Sequence, residues 1–257
     1  TTLAVEAGRS LIGAGGDPGP DALWFTTATP AYADKTNATA VHAALRLDTS
    51  TAALDLGGAI RSGIGALRAA LEGAGTTLLV ASDVRTGPPG SPAESGGADA
   101  GAALLVGDGT EADLSARYLG GASVTDEVFD HWREPGSPHP RAWEERFAES
   151  IYPDLGREAW EAALKVADLT AEQVDRVAVI GTHARSAAKL TRSLGLADGV
   201  AADDLTATVG NPGAAQAGLV LTSLLETTEP GQVLALVSLA DGADVLVLRV
   251  AEGATAR

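Results

Sequence analysis

The stretch Thr208–Glu226, TVGNPGAAQAGLVLTSLLE, opens with a turn of small residues and continues directly into an apolar segment. The turn is Gly210-Asn211-Pro212-Gly213, and the segment after it carries alanine, glycine and leucine on nearly every side. A helix that is apolar on all sides is a buried helix, and its first backbone N–H groups have no partner within the helix. After Pro230-Gly231, the short aliphatic run Gln232–Leu239 predicts a buried strand. The stretch therefore predicts a buried helix followed by a buried strand.

The same order of elements occurs once earlier in the chain. Leu56–Glu72 predicts an apolar helix, and Thr77 begins the strand TLLVASD. The two helices align when they are shifted by about 154 positions, and a Gly-Ala-Asp triplet follows each strand, at Gly97–Asp99 and at Gly242–Asp244. Similar composition could also make two helices rich in alanine, glycine and leucine look alike. Because turn, helix, strand and triplet recur in order, we predict an internal duplication.

Composition limits the function classes. The chain has 257 residues and a net charge of −16, which argues against nucleic acid or an anionic membrane as a partner. It contains no cysteine, which excludes disulfides, thiolate metal sites and a thiol nucleophile. It also contains no methionine, even at position 1, which indicates a processed chain or a fragment. No apolar run approaches 18 residues and no signal peptide is visible, so we expect a soluble cytoplasmic protein.

Strand and helix patterns alternate along the rest of the chain. Asp21–Thr29 predicts a strand, and Thr182–Leu194 predicts a helix that ends at Gly195. Arg141–Val166 predicts one or two helices, broken near Pro153-Asp154, whereas residues 111–139 carry no regular pattern. This alternation favours an α/β protein with largely parallel, doubly covered sheets.

Four stretches resemble the thiolase superfamily, in the branch of 3-hydroxy-3-methylglutaryl-CoA synthase and ketoacyl synthase III. They are the strand, turn and helix of Asp21–Leu45, the nucleophile elbow of Asp55–Leu67, the segment Arg146–Tyr152, and the "GN" turn with its helix in Gly210–Leu225. The resemblance implies a duplicated, layered αβαβα sandwich. It places the two halves at residues 1–140 and 141–257 within one compact unit. Relative to the family, the first N-terminal strand is absent.

Departures from the family fall on its catalytic positions. The nucleophilic cysteine, five residues after the elbow aspartate, corresponds to Ile60, and the neighbouring Ser62 is expected to be structural rather than a substitute nucleophile. The acidic general acid/base of the synthase branch corresponds to Ala28, and the family histidine corresponds to Ile180. The resemblance therefore implies that the usual covalent step is lost.

Other family positions keep polar residues. Asn211 matches the residue that stabilises an oxyanion in the family, and Arg185 matches an arginine of ketoacyl synthases. His183 lies where ketoacyl synthases often carry asparagine. Tyr32 and Tyr152 lie in segments that face the family's substrate channel. His183 could equally be a polar residue at a helix start, and the tyrosines could be core residues.

Two functions remain open at this point. In the first, the protein is an enzyme that acts on an acyl-CoA thioester by non-covalent carbon–carbon chemistry, as an aldolase, retro-aldolase or condensing subunit. The candidate catalytic residues are then Asn211, His183 and Tyr152, and the candidate substrate contacts are Tyr32, Arg185, Gly210 and Gly213. In the second, the protein is an inactive subunit that pairs with an active thiolase-like paralogue.

The two functions share their expected partners and cofactors. We expect coenzyme A thioester as substrate with no further cofactor, and no metal, because His42, His131 and His139 show no metal-ligand spacing with nearby acids. We expect a homodimer or a heteromer with a thiolase-like paralogue, with a zinc-ribbon/OB-fold protein as a further candidate partner. The strand Leu78–Ser82 is the one expected to pair across that dimer.

Overall fold

The computed structural model describes residues 1–13, 19–109, 114–143 and 145–252. They belong to two compact units. Unit 1 comprises Thr1–Arg85, Pro89–Asp108 and Val209–Leu219. Unit 2 comprises Thr86–Pro88, Gly109–Thr208 and Val220–Arg257. The halves predicted at residues 1–140 and 141–257 stay a prediction.

Unit 1 contains a four-stranded sheet with the strand order β2-β1-β3-β4. Its helices and strands are α1 (Thr2–Ile12), β1 (Ala22–Thr26), α2 (Ala38–Leu45), β2 (Ala52–Asp55), α3 (Ser62–Glu72), β3 (Thr77–Asp83), α4 (Pro92–Gly96) and β4 (Ala100–Val106). β1 runs parallel to β2 and β3, whereas β4 runs antiparallel to β3. Apolar residues of α1, α2, β1 and β3 form one core cluster on this sheet.

β3 is an interior strand of this sheet. All seven of its residues are buried, and it pairs with β1 on one side and with β4 on the other. Both rows of backbone hydrogen-bonding groups are therefore engaged within unit 1. The expectation that Leu78–Ser82 pairs across a dimer is wrong, because this strand has no open edge.

Unit 2 contains a second four-stranded sheet, with the strand order β5-β10-β9-β8. Its elements are β5 (Ala116–Thr125), β6 (His131–Trp132), β7 (Arg141–Ala142), α5 (Glu145–Ala167), β8 (Arg176–Gly181), α6 (Ala184–Ser193), β9 (Val233–Leu239) and β10 (Gly242–Val250). The 3₁₀ turn Gly213–Ala215 leads into α7 (Gln216–Thr227), which begins in unit 1 and ends in unit 2. β8 is parallel to β9, and β10 is antiparallel to β9 and β5.

The strand order repeats between the two units. In each, a parallel pair is followed by an antiparallel strand: β1, β3 and β4 in unit 1, and β8, β9 and β10 in unit 2. Ala201 forms a parallel bridge with Val177 of β8, as β2 does with β1. β5 lies beside β10, but the part of unit 1 that the structure describes holds no matching strand beside β4. This order agrees with the predicted duplicated fold.

β5 lies within residues 111–139, which were expected to be irregular, although residues 111–113 fall outside the described part. Gly120 and Gly121 stand in the middle of this strand and weaken its pattern. Gly121 is placed where a Cβ atom would meet the carbonyl oxygen of Val245 at 2.5 Å. Pairing with β10 therefore forms this strand, and the local sequence does not indicate it.

α5 is a single helix of 23 residues that continues through Pro153. A proline lacks the N–H that would bond the carbonyl four residues earlier, here that of Glu149. The Nζ atom of Lys189 donates to this carbonyl oxygen at 2.9 Å, which explains why the expected break does not occur. Neither α5 nor any other helix in the described residues is both long enough and apolar enough to cross a membrane.

Candidate functional site

Unit 1 is organised around the buried carboxylate of Asp83, at the end of β3. Asp83 is 1% exposed. Its Oδ1 atom accepts hydrogen bonds from the hydroxyl of Thr27 at 2.7 Å, from the N–H of Ala28 at 2.8 Å, and from the N–H and hydroxyl of Thr29 at 3.0 and 2.9 Å. Its Oδ2 atom accepts the N–H of Ala214 at 2.8 Å. One carboxylate thus joins the carboxyl end of β1 to the turn that precedes α7.

Asn211, Gly210 and Gly213 form that turn. Oδ1 of Asn211 accepts the N–H of Gly213 at 2.9 Å, and the donor group of this side chain is its amide nitrogen. The backbone of Asn211 donates to Gly96 at 2.8 Å and accepts from Ala98 at 3.1 Å. Gly210 and Gly213 have φ values of +95° and +60°, which accounts for glycine at both positions.

The start of α3 lies against this turn. A Cβ atom on Gly63 would meet the carbonyl oxygen of Ala214 at 2.1 Å, so only glycine allows this approach. Ile60, the residue predicted to match the family's nucleophile position, lies two residues before α3 and is partly buried. Below α3 is an apolar pocket of about 10 Å³, lined by Gly63, Leu67, Leu79, Ala81, Ala102, Leu104, Ala214 and Gly218. As it stands, this pocket is too small for an acyl chain.

Tyr32 lies on the loop between β1 and α2, and it is 55% exposed. Its backbone is held by the buried side chain of Asn37, which accepts the Tyr32 N–H at 3.0 Å and donates to the Tyr32 carbonyl at 3.1 Å. Asn37 is held in turn by Asp55, the last residue of β2, through its N–H at 2.7 Å. The loop is therefore anchored while the phenol ring stays accessible.

Unit 2 brings His183 and Tyr152 together around Asp130. Oδ2 of Asp130 lies 2.8 Å from Nε2 of His183 and accepts the hydroxyl of Tyr152 at 2.9 Å and that of Thr182 at 3.2 Å. The Tyr152 hydroxyl also accepts the N–H of Asp241 at 3.1 Å. Tyr152 is fully buried, and Asp130 and His183 are 6% and 8% exposed. Three donors thus converge on one oxygen atom.

The surroundings shift two of these pKa values. Burial alone would raise the pKa of the Asp130 carboxyl, but hydrogen bonds from His183, Tyr152 and Thr182 and the charge of His183 outweigh it, so this pKa lies below its ordinary value. Burial and the neighbouring Asp130 carboxylate raise the pKa of the Tyr152 hydroxyl. Asp130 is therefore ionised at neutral pH, and Tyr152 keeps its proton.

The ionised carboxylate fixes the tautomer of His183. A carboxylate can only accept hydrogen bonds, so we assign a proton to the Nε2 atom that faces it. In the neutral ring, Nδ1 is then the basic nitrogen. His183 is also the N-cap of α6, but its side chain makes no capping hydrogen bond.

Arg185 lies two residues further along the chain, on the exposed face of α6. Its side chain is 72% exposed, and its guanidinium lies 3.4 Å from the Glu149 carboxylate. Such an exposed pair contributes little to stability. The role of Arg185 as a substrate contact stays a prediction, as do those of Tyr32, Gly210 and Gly213.

Sequence reasoning missed Asp130 and Asp83, the two acids around which these groups are arranged. Asp130 stands in a segment expected to be irregular, and its partners Tyr152 and His183 are 22 and 53 positions away. Asp83 ends a strand that was predicted, and a buried acid at a strand end was the available signal. Within the described residues, no group of three or more His, Asp or Glu side chains is placed to hold a metal ion.

Comparison with known proteins identifies relatives, although no protein-family model matches this chain. Hydroxymethylglutaryl-CoA synthase of Methanopyrus kandleri is 30% identical over 252 residues, which cover 94% of this chain and 71% of that protein. Among solved structures, 3-oxoacyl-(acyl carrier protein) synthase III of Pseudomonas aeruginosa has a TM-score of 0.80 at 18% identity, covering 97% of this chain and 82% of that chain. An HMG-CoA synthase complexed with CoA has a TM-score of 0.80 at 20% identity, covering 98% of this chain and 70% of that chain.

These likenesses agree with the architecture described above. The structural matches extend over nearly the whole chain and confirm the thiolase-like α/β fold predicted from the sequence. The sequence match covers more than two thirds of the relative from Methanopyrus kandleri. This chain therefore belongs to the hydroxymethylglutaryl-CoA synthase family, in the thiolase-like branch that also contains ketoacyl synthase III.

Proposed function

We propose that this protein binds an acyl-CoA thioester and makes or breaks a carbon–carbon bond without an acyl-enzyme intermediate. Family membership supports the thioester, and an HMG-CoA synthase of the same fold has been solved with CoA bound. The sequence contains no cysteine, so the thiolate needed for acyl transfer is missing. Aldol chemistry needs only a proton carrier and a hydrogen-bond donor for the thioester oxygen. A chain without cysteine can therefore carry it out.

The observation that carries this proposal is the buried pair of Asp130 and His183. Asp130 holds the His183 ring by its Nε2–H at 2.8 Å and leaves Nδ1 as the base. A carboxylate that orients a histidine in this way also stabilises the imidazolium that forms when the ring takes a proton. Histidine is well suited to this role near neutral pH.

In the cleavage direction, Nδ1 of His183 takes the hydroxyl proton of a β-hydroxyacyl thioester. The O–H electrons form a carbonyl, the Cα–Cβ bond breaks, and its electrons pass into the thioester to give an enolate. Asn211 is the proposed donor to the enolate oxygen. Return of the proton to Cα releases a ketone or aldehyde and a shorter acyl-CoA, and condensation is the reverse sequence.

In this scheme Tyr152 supports Asp130 and does not carry the proton itself. Its hydroxyl already donates to Asp130 and accepts from Asp241, and its side chain is fully buried. Arg185 and Tyr32 are exposed and are the proposed contacts to the polar parts of the thioester. Asn211 belongs to unit 1 and His183 belongs to unit 2. A double-mutant cycle therefore tests whether both residues act on one substrate molecule, and no distance between them is used.

The test uses 3-hydroxy-3-methylglutaryl-CoA as the probe and detects acetoacetate and acetyl-CoA by mass spectrometry. We expect cleavage by the unmodified protein and a loss of about 10²-fold or more in His183→Gln. The matched control is His42→Gln, because His42 is a histidine whose ring nitrogen contacts only the exposed Asp48 carbonyl. Full turnover in His183→Gln would remove His183 as the proton carrier.

A second candidate function is that of a non-catalytic subunit that pairs with a thiolase-like paralogue. Two observations favour it: the small volume of the pocket below α3, and an exposed aromatic cluster on unit 2. In this cluster Phe129 stacks on Trp132 with ring centres 4.1 Å apart, and Trp143 meets the edges of Phe129 and Phe147. Exposed aromatic surfaces of this kind are typical of protein interfaces.

This candidate is tested by co-expression with such a paralogue and with a zinc-ribbon/OB-fold protein. Light scattering would show a complex that Trp143→Ala weakens, and the complex would be active while this chain alone is not. Turnover of the probe by the purified chain alone would rule the second candidate out.

A further inference from the structure

The two oxygens of the Asp83 carboxylate have different tasks. Oδ1 accepts four hydrogen bonds from residues 27–29, and Oδ2 accepts one, from the N–H of Ala214. The side chain is 1% exposed, so no solvent replaces any of these bonds. Oδ2 is therefore the atom through which Asp83 holds the turn at Ala214.

That turn carries Asn211. The N–H of Gly213 is donated to Oδ1 of Asn211 at 2.9 Å and orients its side-chain amide. Gly213 also packs directly on the carboxylate, because a Cβ atom there would lie 2.2 Å from Oδ2 of Asp83. Asp83 thus contacts Gly213 as well as Ala214, and Gly213 is hydrogen-bonded to the Asn211 side chain.

We infer that Asp83 is a positioning residue that orients the Asn211 amide through the Gly213–Ala214 turn. The inference rests on the proposed function for the claim that Asn211 acts on the thioester oxygen. The mechanical part, from Asp83 to Asn211, concerns unit 1 alone and can be tested without a substrate.

Asp83→Asn separates the two tasks. The four donors around the Oδ1 position favour the oxygen of the new side-chain amide there. The amide nitrogen then takes the place of Oδ2 and faces the N–H of Ala214. Because both groups are donors, they cannot form a hydrogen bond. Ala214→Pro removes the same hydrogen bond from the other side and leaves the carboxylate with its four other donors. Thr27→Val is the matched control, because it removes a donor from Oδ1 and leaves Oδ2 untouched.

The first readout is hydrogen exchange of the Gly213 amide, measured by NMR below the melting temperature of every variant. We expect exchange to accelerate about five- to tenfold in Asp83→Asn and in Ala214→Pro, as for the loss of a typical hydrogen bond, and to stay unchanged in Thr27→Val. Unchanged exchange in either of the first two variants would overturn the inference. If Asp83→Asn does not fold, Ala214→Pro alone decides.

The second readout is turnover of 3-hydroxy-3-methylglutaryl-CoA in a double-mutant cycle. If Asp83 acts through Asn211, Asp83→Asn lowers kcat when Asn211 is present. In a protein that already carries Asn211→Ala, it causes no further loss of kcat. Losses that multiply would overturn the inference. Full turnover in Asn211→Ala would instead overturn the role proposed for Asn211, and the exchange result would still decide whether Asp83 positions the turn.

Discussion

Tyr152 and His183 share a single acceptor, Oδ2 of Asp130, at 2.9 and 2.8 Å. The shared atom means that neither donor can be removed without changing the other's surroundings. The negative charge of this buried hydrogen-bonded group in unit 2 lies on Asp130. The behaviour of Asp130 with pH is therefore the most direct test of this arrangement.

Asp130→Asn is expected to remove a pH-dependent part of the stability. The folded-state pKa of Asp130 is lowered, so its contribution is fully present above the unfolded pKa of about 3.9 and is lost as the pH falls through the folded value. The difference in the free energy of unfolding between wild type and Asp130→Asn should be largest near neutral pH and shrink below about pH 4. Urea denaturation across this range measures it.

The control for this experiment is Asp198→Asn, at an exposed position in unit 2. We expect its unfolding free energy to follow wild type at every pH. A constant difference between wild type and Asp130→Asn from pH 7 to the acid limit would contradict the lowered pKa of Asp130.

Tyr152→Phe should lower stability while Tyr32→Phe should not. Removing the Tyr152 hydroxyl takes one donor from the buried Asp130 carboxylate and one acceptor from the N–H of Asp241, at a cost of about 1–3 kcal/mol. Tyr32 is 55% exposed, so its variant should stay within about 0.5 kcal/mol. Equal midpoints in urea for the two variants would show that the Tyr152 hydroxyl is not needed by the network.

The sequence predicted those parts of the fold that depend on neighbouring residues. The buried strands β3 and β9 and the helix after Asn211 stand out because their own residues are apolar, and the repeated order of elements follows from them. β5 was not predicted, because its glycines are acceptable only beside β10, more than a hundred positions away. The Glu149 carbonyl that Pro153 leaves without its helical donor is bonded by Lys189, a residue on another helix.

The same division applies to the candidate sites. The turn Gly210–Gly213 could be located because its residues are contiguous and its glycines mark unusual backbone angles. His183 was singled out because it matches a position where ketoacyl synthases often carry asparagine, but Asp130, which gives it a chemical role, was not found. Hydrogen bonds between residues 22 and 53 positions apart leave no local pattern in one sequence.

Alanine substitutions at two glycines of α3 test the packing between α3 and the turn at Ala214. Gly63→Ala places a Cβ atom 2.1 Å from the Ala214 carbonyl oxygen and should destabilise by about 1–3 kcal/mol. Gly65→Ala meets nothing within 4 Å and should stabilise by up to about 1 kcal/mol, because alanine favours the helix. Thermal or urea unfolding compares them, and a neutral Gly63→Ala would mean that the turn can move away from α3.

The position of Ile60 yields the sharpest chemical prediction. If the absence of cysteine is what prevents covalent chemistry, the unmodified protein incubated with acetyl-CoA keeps its mass. Ile60→Cys then supplies the chain's single thiol, two residues before the first residue of α3, where helix N–H groups favour a thiolate. We expect this variant to gain one acetyl group, observed by intact-protein mass spectrometry and mapped to residue 60. The reaction should be slow, because Ala28 and Ile180 are the residues predicted to stand in place of the acid and histidine of the family.

Ser62→Cys is the control, since it places a thiol two residues away in the first turn of α3. Acetylation of Ile60→Cys but not of Ser62→Cys would show that the family's nucleophile geometry survives around Ile60. Equal labelling of both would indicate only a reactive helix N-terminus. An acetyl group mapped to a hydroxyl of the unmodified protein would contradict the non-covalent proposal directly, because that hydroxyl would then act as the covalent nucleophile in a chain without cysteine.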